Sequence, residues 1–130
     1  MRREDLNEYT KIELSLLAIE KEIETTYNTY RSPSFVQSLN ATADQDGPTC
    51  RALNRIEKLK KRRDELSSRL EEIENFVDSI EDPEINAACT LHYINGYTWE
   101  ATCYQLRKHH GGSMIIEKVR QYFLKKGYES

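Results

Sequence analysis

IEDPEINAACTLHYINGYTWEATCYQLRKHHGGSMIIEKVRQYFLKK, running from Ile80 to Lys126, holds the start and stop signals of three short helices in quick succession. Asp82 supplies an N-cap acceptor and Pro83 the fixed φ of a first helical residue, which predicts a helix from Pro83 to about Asn95 that Gly96 ends. Thr98 caps a second helix over Trp99 to Leu106. Gly111-Gly-Ser113 breaks the chain and restarts it, and a third helix from Met114 to Lys126 ends in two lysines and Gly127, the charge and the residue expected at a C-terminus. Glu100 and Glu117 each lie near a helix start, where a carboxylate suits the positive end of the dipole. Three helices joined by short turns make a helix-turn-helix arrangement the expectation for residues 82–130.

Residues 1–81 read as a stalk for that module. Ala52, Ile56, Leu59, Arg63, Leu66, Leu70, Ile73, Val77 and Ile80 recur in alternating steps of four and three, a sustained heptad seam. The helix that carries it, from about Thr49 to Ser79, is roughly 45 Å long at ~1.5 Å per residue and needs a partner along its seam. Three partners satisfy that need: the first helix folded back as an antiparallel hairpin, a second chain, or both in a four-helix dimer core. Arg63, the one polar seam residue, is of the type that fixes register or oligomer state. Tyr9, Ile12, Leu16, Ile19 and Ile23 mark the first helix, with Leu6, Leu14 and Leu17 widening its stripe and Pro33 closing it. Between the two helices, 31–48 contains Ser-Pro-Ser, Asn-Ala-Thr-Ala-Asp and Asp-Gly-Pro and is expected to be a mobile loop. The fold class expected is all-α: a long coiled-coil helical hairpin, then the three-helix module.

Composition agrees with long solvated helices: of 130 residues 38% are apolar and 32% charged. No apolar run approaches the ~20 residues of a membrane span or resembles a signal peptide, so a cytoplasmic location without membrane contact is expected. Cys50, Cys89 and Cys103 lack the paired spacing of a disulfide framework and are expected as thiols. Cys89 with His92, or Cys103 with His109 and His110, falls short of the four paired ligands of a zinc site, so no metal is expected. No phosphate loop follows a strand and no nucleophile is spaced from a base, which argues against catalysis.

The formal charge of −3 is unevenly spread. From Pro83 onward six bases face four acids, a local +2, which leaves −5 on the rest of the chain. A weakly basic end on an acidic stalk permits nucleic-acid binding without demanding it. The dense basic run Lys58 to Arg63 spreads around its helix and is followed at once by Asp64 and Glu65; it reads as a solvated surface, with phosphate contact as the alternative.

Ile80-Glu-Asp-Pro-Glu-Ile85, Leu91-His-Tyr-Ile-Asn-Gly-Tyr-Thr-Trp-Glu100, Gly111-Gly-Ser113, Val119-Arg120 and Tyr122-Phe-Leu-Lys125 together resemble small regulators encoded by phages and prophages of Gram-positive bacteria. These are the RinA/ArpU-like late-transcription regulators, whose C-terminal half is similar to the promoter-reading helix-turn-helix of bacterial sigma factors. Tyr30-Arg-Ser-Pro-Ser34 and the long helix before the module are similar as well, although the specific part is Ile80 to Lys126. The resemblance implies sequence-specific binding of double-stranded DNA in a bacterial host cell, beside host RNA polymerase or another host protein, without catalysis or cofactor. Three departures stand out: His92 where an arginine tends to stand, Thr102-Cys103 where an alanine and a β-branched residue do, and Met114-Ile115-Ile116 where polar residues follow the glycines.

Helical spacing places Ile115, Ile116, Val119, Tyr122 and Phe123 on one face of the last helix and turns Met114, Glu117 and Gln121 outward. In the DNA-binding expectation Met114, Glu117 and Gln121 face base edges while Ser113, Lys118, Arg120 and Lys125 hold phosphates. The seam from Ile56 through Leu59, Arg63, Leu66, Leu70 and Ile73 to Val77 exceeds what the first helix covers, so a homodimer is expected. A second class of function remains open: a phage factor that binds a host or defence protein and has lost the basic surface.

Overall fold

Helix dominates because the seam, the caps and the turn residues all favour it, and no strand occurs among the described residues. The structure, a computed structural model, describes residues 1–30, 48–106 and 112–130. In chain order the elements are α1 (Arg3–Leu6), α2 (Glu8–Tyr30), α3 (Pro48–Asp78), α4 (Pro83–Cys89), a π-helical turn (Thr90–Ile94), α5 (Trp99–Gln105) and α6 (Gly112–Lys125). The loop expected over 31–48 lies outside the described residues except for Pro48, which opens α3; Arg107, Lys108, His109, His110 and Gly111 lie outside them too.

The chain divides into two compact units, Leu14–Ser68 on the one hand and Met1–Glu13 with Arg69–Ser130 on the other. In the first, Ile19 of α2 and Ala52, Ile56 and Leu59 of α3 are buried, and Leu16, Ile23, Arg63 and Leu66 half-buried. Every seam position there is covered to some degree, whereas the α3 residues between them are exposed. Arg55 reaches Glu22 at 2.9 Å, linking the two helices of this unit. Leu14 and Leu17, expected to widen the packed stripe of α2, are instead exposed, at 68% and 62%. At 100° per residue they fall well off the line through Leu16, Ile19 and Ile23, and Leu53 of α3 is exposed as well.

The second unit holds a larger core. Leu6, Tyr9 and Ile12 are buried together with Ile73, Val77 and Ile80 from the end of the seam, and with Ile85, Ala88, Cys89, Tyr93, Cys103, Ile115, Val119 and Phe123. The sequence leads one to expect Trp99, Leu91, Ile94, Leu106 and Val119 as the small core of the terminal module; Val119 is fully buried, while the other four are only half-buried. Phe123 takes the centre instead, edge-on to Phe76 at 6.0 Å and to Tyr128 at 5.6 Å. Tyr128 reaches that position through the end of α6. Gly127, at φ 75°, closes the helix, with its N–H donating to the Leu124 carbonyl and the Tyr128 N–H to the Phe123 carbonyl. This is the Schellman pattern, including its apolar contact.

The other ends follow local chemistry. Asp82 Oδ1 accepts from the N–H groups of Glu84 and Ile85 at 3.0 and 3.2 Å, and Thr98 Oγ1 from that of Ala101 at 3.1 Å. The Asn86 amide donates to the carbonyls of Val77 and Ile80, so polar groups left over where α3 ends find a partner. Arg69 binds Glu72 at 3.0 Å and Glu8 at 3.3 Å, and those carboxylates, Glu72 foremost, hold its guanidinium above its ordinary pKa. Tyr9 donates its hydroxyl to Glu74; burial first, then that carboxylate, raise its pKa.

Candidate nucleic-acid interface

Gly112 places α6. Its φ is not positive, so the glycine is there for space: a Cβ would lie 3.1 Å from the Trp99 Cβ and 3.2 Å from the Glu100 nitrogen. The first turn of α6 therefore sits directly on the first turn of α5, and α6 packs against both α5 and α4. Ile115, Val119 and Phe123 are buried by this packing, Ile116 and Tyr122 half-buried, and Met114, Glu117, Lys118, Arg120 and Gln121 left exposed. The outward face of α6 is thus the one its spacing predicts.

Along that face runs a groove of about 910 Å³. Six of the seven residues expected to touch DNA line it: Ser113, Met114, Glu117, Lys118, Gln121 and Lys125. The exception, Arg120, binds Glu117 at 2.9 Å. The opposite wall comes from the first turn of α4, with Asp82, Glu84 and Ile85, and apolar surface is added by Tyr122 and Leu124. The Asp82-Pro83 signal reveals that turn in the sequence, but its position across from α6 is a product of tertiary packing.

Three charges of the groove, those of Glu84, Glu117 and Lys118, are paired. Lys118 Nζ lies 3.0 Å from Glu84 Oε1, and Glu117 Oε1 accepts from Arg120 at 2.9 Å and from the Gln121 amide at 2.8 Å. The Gln121 hydrogen bond first, and Arg120 after it, hold the Glu117 carboxyl below its ordinary pKa. An incoming phosphate therefore competes with carboxylates for Lys118 and Arg120.

Behind this face the chain between α4 and α5 takes a course that spacing does not reveal. The Asn95 N–H donates to the Thr90 carbonyl at 2.9 Å, five residues back, and the Tyr97 N–H to the Leu91 carbonyl at 3.0 Å. This π turn carries the helix expected from Pro83 to Asn95 past Cys89, and Gly96, at φ 77°, ends it. His92 is turned onto the Trp99 ring, stacked at 3.8 Å, and Tyr93 meets the same ring edge-on at 5.7 Å. His92 Nδ1 lies 2.7 Å from the Tyr97 carbonyl, which only accepts, so that nitrogen carries the proton. Burial lowers the His92 pKa, outweighing the carbonyl, which acts to raise it. Thr102 and Cys103 of α5 are both buried, and the Thr102 hydroxyl finds no partner among the described residues. Cys89 is fully buried, and burial pushes its thiol up to about 12. Among the described residues no group of three or more His, Cys, Asp or Glu side chains is gathered to hold a metal ion.

No family model, curated protein or solved structure matches this chain.

Proposed function

We propose that the chain is a DNA-binding transcription regulator whose residues 82–130 act as a helix-turn-helix module, with α6 as the helix that enters the major groove. The observation that carries this is the exposed face of α6: Ser113, Met114, Glu117, Lys118, Gln121 and Lys125 lie along one groove, on a helix anchored by Ile115, Val119 and Phe123. In this reading Met114, Glu117 and Gln121 meet base edges, Glu117 accepting from a cytosine amino group, while Ser113, Lys118, Arg120 and Lys125 contact phosphate. Residues 1–81 form the antiparallel coiled-coil hairpin, supported by the burial of the heptad positions and by the Glu22–Arg55 pair. The phage origin, the cytoplasmic location and the host RNA polymerase as neighbour rest on the sequence resemblance. A homodimer through the stalk is part of the proposal, and a monomer mass by light scattering at micromolar concentration would remove it.

A second reading has a specific observation behind it. Lys118 and Arg120 are held by Glu84 and Glu117, and the groove has Ile85, Met114, Tyr122 and Leu124 among its lining, a mixture that also suits a protein partner. In that case the chain is an inhibitor or adaptor of a host or defence enzyme.

Alanine at two kinds of position separates the readings. For a regulator, Lys118→Ala or Arg120→Ala weakens binding to every duplex, while Gln121→Ala or Glu117→Ala changes the preference among sites, by ~1–3 kcal/mol where a base contact is lost. If all four bind duplex as the parent does while capture of a host protein changes, the protein-binding reading replaces the first.

A further inference from the structure

The seam of α3 runs through Ala52, Ile56, Leu59 and Arg63, and each of these is preceded by a cation: Arg51, Arg55, Lys58 and Arg62. Because both series step by four, three and four, the cations form a second line parallel to the seam, displaced from it by about 100° around the helix. All four are exposed. The basic run that looks scattered when read as Lys58 to Arg63 thus contains half of an ordered row that begins at Arg51. At ~1.5 Å per residue the row is about 16 Å long, with about 4.5 to 6 Å between neighbouring cations. The other side of the seam differs in kind: Leu53, Glu57, Lys60 and Asp64 follow the same steps there.

Arg55 identifies the part of α2 that borders the row, since it reaches Glu22 at 2.9 Å. The same steps from Glu22 along α2 give Ser15, Ala18, Thr25 and Thr29, all exposed and all small. The row ends in an acid, since the next step after Arg62 is the exposed Glu65, so this side of the unit Leu14–Ser68 carries four cations, two carboxylates and no large apolar side chain. Among the described residues Arg51, Lys58 and Arg62 make no ion pair, in contrast to Lys118 and Arg120 of α6.

We infer that this flank of α3 is a second phosphate-binding surface, which takes the sugar-phosphate backbone of a nucleic acid. A protein partner needs an apolar or aromatic centre to its interface, and this flank has none. A polyanion needs cations in a row and small polar neighbours that let its backbone approach, and both are present. One strand of duplex has a phosphate about every 3.4 Å of axis, so the row runs alongside about five of them. Glu22 holds Arg55 in place between cations that are available to the ligand. The inference rests on the proposed nucleic-acid binding and locates part of its sequence-independent affinity on the stalk.

The test uses the full chain and a mixed-sequence 20-base-pair duplex, with a single strand of equal length alongside. A triple variant, Arg51→Gln, Lys58→Gln and Arg62→Gln, is compared with a control that loses as many charges elsewhere on the same unit, Lys21→Gln, Lys60→Gln and Lys61→Gln. Affinity is measured between 50 and 200 mM salt. Three lost phosphate contacts flatten the logarithmic salt slope on duplex by about 2.7, so the parent loses roughly 40-fold more affinity over that interval than the triple variant does. The control keeps the slope of the parent. The same flattening confined to the single strand supports the surface and assigns it to single-stranded ligand. Equal effects of both variants, or an unchanged slope in the triple variant, overturn the inference and leave the α6 reading intact. So does a loss of self-association alone, which would make the acidic side of a second copy the occupant. A parent chain that binds neither ligand at 50 mM salt defeats both proposals together.

Discussion

Replacing Glu84 by glutamine tests whether the ion pair across the α6 groove restrains DNA binding. Glu84 Oε1 lies 3.0 Å from Lys118 Nζ, and the two side chains are 31% and 45% exposed, so the pair is worth ~0–1 kcal/mol. A phosphate that takes Lys118 gives up that amount and is also repelled by the freed carboxylate, by about 0.5 kcal/mol at a distance of ~8 Å in water. The neutral amide removes both penalties. The expected gain is about 1 kcal/mol, or about fivefold tighter binding to mixed duplex at low salt, with a logarithmic salt slope steeper by up to ~0.9. Fluorescence anisotropy over a salt series reads both quantities. Stability moves the other way, because Glu84 lies in the first turn of α4, where a carboxylate stabilises by ~0.3–1 kcal/mol. A tighter-binding, slightly less stable variant is the predicted outcome. Unchanged or weaker binding by a folded Glu84→Gln variant would refute the reasoning, since Lys118 would then not be a phosphate contact.

Three further outcomes follow from the core and the π turn. Phe123→Ala should cost ~3–5 kcal/mol and Trp99→Ala about half as much, because Phe123 is fully buried and Trp99 only half-buried; denaturant melts that reverse this order would contradict the core described here. Thr102→Val should raise stability by about 1–2 kcal/mol, since it replaces a buried hydroxyl that has no partner among the described residues, and a destabilised variant would show that the hydroxyl is satisfied. Burial lowers the His92 pKa below the ~6.5 of the unfolded chain, so as pH falls through that range the unfolded state binds more of the proton and stability falls. His92→Gln should remove this component from the difference between melts at pH 7.5 and 5.5, and an equal pH dependence in parent and variant would exclude it.

The parts of the fold that depend on near neighbours were legible in the sequence. The heptad from Ala52 to Ile80 marks the covered positions of α3, Asp82 and Thr98 mark helix starts, and Gly127 marks the end of α6, since each acts within a turn or two of its own position. The outward face of α6 was legible for the same reason. The π turn was not, because its i to i+5 bonds accompany the stack of His92 on Trp99, a contact between separate elements. Gly112 looks like a turn residue and is instead a contact residue, which only the approach of α6 to α5 reveals. The pairing of Lys118 with Glu84 spans 34 residues and has no local signature. Counting Lys58 to Arg63 as a contiguous run hid the row that starts at Arg51, although the steps of four and three were present in the sequence.

The central claim, that α6 meets duplex DNA, is tested most directly by amide chemical-shift mapping of the full chain as duplex is added at low salt. The account predicts shifts concentrated at Ser113, Met114, Glu117, Lys118 and Gln121, with the buried Ile115, Val119 and Phe123 moving less. A spectrum that stays unchanged as duplex is added, or shifts that leave the α6 face untouched, would contradict it.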